Sequence, residues 1–156
     1  MAGSMMGKVA LITGGSSGIG RATCAAFARE GATVVLAARR ANEGEETAEL
    51  VRAAGSEALF VRADISQSSD VQVLVDTCVK RYGRLDYACN NAGIEGALAL
   101  LVDYTEEQWD DVININLKGT WMCMKADIRH MRETGGGSIV NVASIGGLIG
   151  FPRLGP

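Results

Sequence analysis

The segment Thr13-Gly-Gly-Ser-Ser-Gly-Ile-Gly20 constrains this chain more than any other. It directly follows a short apolar run, Lys8-Val-Ala-Leu-Ile-Thr13. It directly precedes Ile19, Ala22, Ala26 and Phe27, which fall at helical spacing up to Gly31. A buried strand that turns through glycines into a helix makes a defined kind of place. Without β-carbons the backbone adopts positive φ and admits close approach of another group. The free N–H groups at the helix start, with the positive end of its dipole, favour an anion such as a phosphate. The spacing is G-x-x-x-G-x-G, not G-x-G-x-x-G, and no Gly-Lys-Ser/Thr follows, which disfavours a P-loop hydrolase.

The same alternation continues downstream. Thr33–Ala38, Ala58–Val61, Leu85–Cys89 and Ser138–Val142 are further strand candidates. Between them, Asn42 is read as the cap of a helix closed by Gly55. Ser68 is read as the cap of another, with a stripe at Val71, Leu74, Val75, Cys78, Val79 and Tyr82 that ends at Gly83. Thr105 and Gln108 fit a capping box, opening a helical stretch to about Glu133, in one or two pieces. Five strands alternating with helices predict an α/β, Rossmann-like, doubly wound parallel sheet with right-handed crossovers. The expected order is 3-2-1-4-5, with ligand bound where that order reverses. Residues 1–156 read as one domain. Met1 to Met6 are set aside as a tag remnant or a disordered lead.

Composition narrows the function classes. Hydrophobic residues make up 47%, enough for a packed core, and the net charge of −3 gives no nucleic-acid footprint. The apolar run Ala97–Val102 is too short to span a bilayer. Four cysteines without a C-x-x-C pair, and the single His130, argue against a metal site and fit a reduced, cytoplasmic protein.

Four ordered motifs carry a resemblance: Thr13-Gly-x-x-x-Gly18-Ile-Gly20, Asn90-Asn-Ala-Gly93, Asn116-Leu, and Ser144 after the fifth strand. Together they resemble the short-chain dehydrogenase/reductase family over about Gly7 to Pro156. The resemblance implies an NAD(P)-dependent oxidoreductase that moves a hydride between nicotinamide and an alcohol or ketone. It implies cofactor contacts from Gly14, Ser16, Ser17, Gly18, Ile19 and Gly20, and from Asp64 and Ile65 after strand three. Asp64 would meet the adenine amino group; a capping or turn role competes. Asn90 would tie the sheet together, while Asn91, Ala92 and Gly93 would pass under the adenosine.

An acid at the end of the second strand suits the ribose hydroxyl of NAD, and an arginine suits the 2′-phosphate of NADP. Here Ala38 occupies the strand end, and Arg39-Arg40 follow about twenty residues after Gly20. Forked guanidinium recognition of phosphate favours NADP, with NAD as the alternative. Against this, both arginines fit ordinary surface charges, and no basic residue stands at Ser16 or Ser17.

Asn116 and Ser144 match the family's catalytic asparagine and serine, the asparagine anchoring a water and the serine placing the carbonyl oxygen. For Asn116, a solvent-facing helix position competes. The family's Tyr-x-x-x-Lys pair is expected about a dozen residues after the serine, yet Ile145 to Pro156 contains neither residue. None of Tyr82, Tyr87 and Tyr104 precedes a lysine by four. On this reading the pair and strands six and seven are missing from the chain, which by itself is inactive, and strand five is an exposed edge. The alternative function is a non-catalytic dinucleotide-binding or interaction fragment; a sugar-nucleotide-modifying relative is a weaker third. The implied partners are a small alcohol or carbonyl substrate, with no nucleic acid and no membrane. Ile94 and Glu95 are candidates for the substrate cavity, with a loop role equally open. The parent protein would be a homodimer or homotetramer. Ile113, Leu117, Trp121, Met124 and Ile128 on the long helix would serve either core or interface.

Overall fold

Strand and helix alternate along the chain as β1 (Val9–Thr13), α1 (Gly18–Arg29), β2 (Thr33–Ala38), α2 (Ala41–Ala53), β3 (Ala58–Arg62), α3 (Ser68–Tyr82), β4 (Tyr87–Asn90), α4 (Glu106–Val112), α5 (Thr120–Glu133) and β5 (Ser138–Asn141). This computed structural model describes residues 3–153. Its sheet runs β3-β2-β1-β4-β5, and every neighbouring pair is parallel. The order reverses at β1, which lies between β2 and β4. The crossovers leave in opposite directions there, opening a crevice at the carboxyl ends of these strands.

Both faces of the sheet are covered, which is why the strands read as continuous apolar runs. In β1, Val9 and Leu11 join Val35 and Ala37 on the face packed by α3 and α5. Ala10 and Ile12 join Val34 and Leu36 on the face packed by α1 and α2. The predicted stripe of α3 supplies Val71, Leu74, Val75 and Cys78 to the first layer. β5 and β3 are the edge strands, and Val140 and Val142 are 60% and 41% exposed.

Several local expectations are corrected. The α2 N-cap is Arg40, not Asn42, and the α3 N-cap is Gln67, so Ser68 is already helical. Residues Gly3 to Met6, set aside above as a tag remnant or a disordered lead, are ordered. They turn against the end of α1, where the Met5 amide donates to the Glu30 carbonyl at 3.0 Å and Met5 packs on the core. Met1 and Ala2, like Leu154 to Pro156, lie outside the described residues. The Thr105–Gln108 capping box is present, but the long helix changes character. Residues Ile113–Gly119 form a π-helical segment between α4 and α5. A π turn widens the helix by one residue and re-aims the side chains beyond it. Leu117, Trp121 and Ile128 face solvent, at 65%, 55% and 43% exposure. The inward residues are Met122, Cys123, Ala126, Asp127 and Met131. Among the described residues no helix is long and apolar enough to cross a membrane.

One polar group sits deep in this core. Asp127 is fully buried on α5, and the Asn90 side-chain amide faces its Oδ2 at 3.5 Å. The same amide donates to Asn141 Oδ1 at 3.0 Å, joining β4, β5 and α5. Burial pushes the Asp127 carboxyl up to about 7, against a smaller lowering by Asn90. The folded chain therefore holds this proton more tightly than the unfolded chain, where the ordinary value near 4 applies. Its contribution to stability is complete below about pH 4 and is lost as pH rises through about 7. Asp127→Asn keeps the shape and removes the charge. Urea unfolding at several pH values should show the variant losing less stability than the wild type across that window, by on the order of 1–3 kcal/mol. Identical slopes would contradict an ionisable buried carboxyl.

Candidate functional site

The glycine turn is built from both neighbouring strands. The Thr13 hydroxyl oxygen, 1% exposed, accepts from the Asn91 and Ala92 amides at 3.0 and 3.1 Å, stitching β1 to the segment after β4. Asn91 Nδ2 donates to the Thr13 carbonyl at 3.0 Å and reaches the Gly14 carbonyl at 3.4 Å. The Gly15 amide donates to the Ala37 carbonyl at 3.1 Å, tying the turn to β2. Gly14 adopts φ +68°, and a β-carbon there would press within 2.8 Å of Asn91 Nδ2 and 2.9 Å of Ala92 Cα. A side chain at Gly20 would collide with the Gly14 carbonyl. These contacts are why the turn demands glycine at those two places.

What the turn leaves open matters as much. Ser17, the α1 N-cap, is extended and makes no side-chain cap. Among the described residues, the amides of Ser17, Gly18, Ile19 and Gly20 find no protein acceptor; the first amide to find one is that of Arg21, on the Ser17 carbonyl at 3.1 Å. Gly18 has φ +51° and nothing within 4 Å of where its β-carbon would stand. Four donors without a protein acceptor stand at the positive end of a helix, and three of them, on Ser17, Gly18 and Ile19, belong to residues that border open space, which fits a diphosphate.

That space is a cleft of about 520 Å³. Its walls carry Gly14, Ser16, Ser17, Gly18 and Ile19 from the turn, Arg39 and Arg40 after β2, Asp64 and Ile65 after β3, and Asn91, Ala92 and Gly93 after β4. Every residue expected at a cofactor is therefore on the wall except Gly20, which lies behind it. Ala37, Ala38, Ala63, Ile94 and Ile115 complete the lining. The alanines bring no motif of their own. Ile115 comes from the π-helical segment, whose Gly119 has room for no β-carbon beside Ile65. Among the described residues Asp64 is the only acid on the wall, and its Oδ1 accepts from the Ser66 amide and hydroxyl at 3.0 and 2.8 Å. This is the turn role that competed with adenine binding, and it leaves Oδ2 outside that turn. At the mouth, Arg40 Nη2 donates to Ser17 Oγ at 2.9 Å, and its Nη1 pairs with Glu43 at 3.5 Å.

The two catalytic candidates lie off this wall. Asn116, within the π-helical segment, does not point idly to solvent. Its Oδ1 accepts from the Ile94 amide at 2.9 Å, and its Nδ2 donates to the Ile94 carbonyl at 2.8 Å. It thus holds the backbone of a residue that lines the cleft. Ser144 is exposed, and its Oγ accepts from the Gly146 amide at 3.1 Å. The Tyr104 hydroxyl donates to the Ala97 carbonyl, pinning the loop beyond Ile94.

Comparison with known proteins agrees with this geometry. The family model for short chain dehydrogenases matches residues 8–156. The short chain dehydrogenase/reductase astE of Aspergillus oryzae is 41% identical over 143 residues, 90% of this chain and 55% of that protein. A 3beta-hydroxysteroid dehydrogenase of Mediterraneibacter gnavus is 39% identical over 145 residues, 93% of this chain and 52% of that protein. The crystal structure of an NAD+-bound xylitol dehydrogenase superposes with a TM-score of 0.94 at 35% identity, covering 97% of this chain and 58% of that one. The chain spans about half the length of the curated relatives it matches. Its fold is the Rossmann-like fold of those neighbours, and the chain belongs to the short chain dehydrogenase family.

Proposed function

We propose that the protein is an NAD(P)-dependent oxidoreductase acting on an alcohol or its ketone, and that the cleft beside the glycine turn holds the dinucleotide. The observation that carries this reading is the set of four α1 amides, Ser17 to Gly20, without a protein acceptor beside open space. The xylitol dehydrogenase neighbour, described as NAD+-bound, supports a dinucleotide there.

NADP is the preferred form. Ala38 ends β2, two guanidinium groups follow it, and the one acid on the wall is part of a turn at Asp64. A 2′-phosphate gains charge-assisted hydrogen bonds from such a mouth and meets no opposing carboxylate at the strand end. When bound, the nicotinamide supplies the hydride chemistry. The chain's part is to hold the diphosphate on the α1 amides, to seat the adenosine against Ala92 and Gly93, and to fix Ile94 through Asn116. Ser144 is the residue proposed to hydrogen-bond the substrate oxygen.

The proton needs a donor that this sequence does not arrange as Tyr-x-x-x-Lys. The 156-residue chain on its own therefore acts as a binding module without turnover. The whole protein is a cytoplasmic homodimer or homotetramer. Four unpaired, buried thiols fit a reducing compartment, and the exposed Leu117, Trp121 and Ile128 fit a subunit contact.

Two measurements check this account. Fluorescence titration should show NADPH binding about tenfold tighter than NADH, and the double variant Arg39→Ala, Arg40→Ala should lose that margin with little change for NADH. Equal affinities in the wild type would remove the NADP preference, and no binding of either would remove the cofactor site. Incubation of the purified chain with NADPH and a panel of simple ketones should leave the NADPH absorbance unchanged. Steady oxidation above the ketone-free control would show that another residue supplies the proton.

A further inference from the structure

We infer that Arg21, the residue immediately after the last glycine of the turn, is a positioning residue that sets the spacing between the diphosphate site and the arginines at the cleft mouth. The inference rests on the cofactor reading above. Arg21 sits on α1 and is not one of the residues that line the cleft. Its Nη2 donates to the Ser16 carbonyl of the turn at 2.7 Å and to the Glu43 carbonyl in the first turn of α2 at 3.2 Å. Its Nε donates to Thr47 Oγ1 at 2.9 Å. Thr47 is 1% exposed, and its own hydroxyl donates to the same Glu43 carbonyl at 3.0 Å. One planar fork thus grips the glycine turn on one side and the start of α2 on the other.

A second link closes the circuit from the cleft side. Glu43 pairs with Arg40 at 3.5 Å, and Arg40 donates to Ser17 Oγ at 2.9 Å. Ser16, Arg21, Glu43, Arg40 and Ser17 therefore form a ring joining the phosphate turn to the segment that carries Arg39 and Arg40. Among the described residues, no acceptor meets the Arg39 guanidinium, whereas Arg40 is already engaged. A ligand that places one phosphate on the turn and another beside Arg39 must span a distance that this ring fixes. A ligand lacking the second phosphate does not depend on that distance. The α1–α2 packing itself stands on Cys24, Ala28, Ala48 and Val51, none of which takes part in the fork. Loss of the fork thus loosens the spacing without removing the core.

The guanidinium also pairs with Glu46 at 3.4 Å at the exposed edge. Lysine offers a charge but no planar fork, so it can keep such an ion pair but cannot reach the Ser16 and Glu43 carbonyls and the Thr47 hydroxyl together. The test compares NADPH and NADH affinities, with thermal unfolding, for the wild-type chain and Arg21→Lys. The expected result is an NADPH affinity about tenfold weaker with NADH changed by less than about threefold, so that discrimination falls. Thr47→Val, which removes the acceptor of Nε, should shift the ratio in the same direction and less, while Thr47→Ser, which keeps the hydroxyl, should restore it. These two variants carry the test if Arg21→Lys does not fold. An unchanged ratio, or equal weakening of both nucleotides with a lowered midpoint, would show that Arg21 is merely structural and would overturn the inference alone. A wild-type chain that binds neither nucleotide would overturn the cofactor reading and this inference with it.

Discussion

A helix that begins inside a folded domain must dispose of its first N–H groups, and burying them unpaired costs about 1–3 kcal/mol each. At the start of α1 the residues Ser17, Gly18 and Ile19 avoid this cost by opening to a cleft. Ser17 declines to cap the helix with its side chain, and Gly18 leaves bare space above the first turn. The rest of the local structure serves that arrangement. Thr13 binds the chain after β4, Gly15 binds β2, and Asn91 holds the carbonyls of Thr13 and Gly14. The amides are thereby rigid before any ligand arrives, which lowers the ordering cost of binding.

The sheet supplies the frame. Alternating residues of β1 and β2 feed two separate apolar layers, so the strands are locked from both faces and their carboxyl ends are fixed in space. The buried contact between Asn90 and Asp127 then couples β4 to α5 directly below the loop that bears Asn91 to Ile94. Polar groups so deep are tolerated because the carboxyl is held toward its neutral form by burial. The π-helical segment adds the last constraint. It turns Asn116 onto the Ile94 backbone and brings Ile115 to the wall of the cleft.

How much of this was legible in the sequence depends on the range of the interaction. Strand order followed from alternation and chain direction, and the glycine turn followed from local backbone needs. Gly14 and Gly20 lie against groups a β-carbon would strike, which is a requirement written in the residue type itself. The Thr105 capping box was legible for the same reason. The caps lie two residues before Asn42 and one before Ser68, because Arg40 and Gln67 fill those positions with no side-chain signature. The Arg21 fork was not legible at all. Two of its acceptors are the backbone carbonyls of Ser16 and Glu43, which carry no residue identity, and Glu43 and Thr47 lie far along the chain. The grip of Asn116 on Ile94 and the widened turn that aims it were hidden likewise. Met5 packs on the core from a chain position whose sequence carries no sign of it.

The most direct test of the account concerns the α1 amides themselves. Backbone amide resonances of the isotopically labelled chain can be followed as NADPH is added. The account predicts that Ser17, Gly18, Ile19 and Gly20 shift most, saturating with the same affinity as Arg39, while amides already bonded within β3 stay in place. If those four amides do not move while NADPH binds, the dinucleotide lodges elsewhere and the cleft beside the glycine turn is not its site.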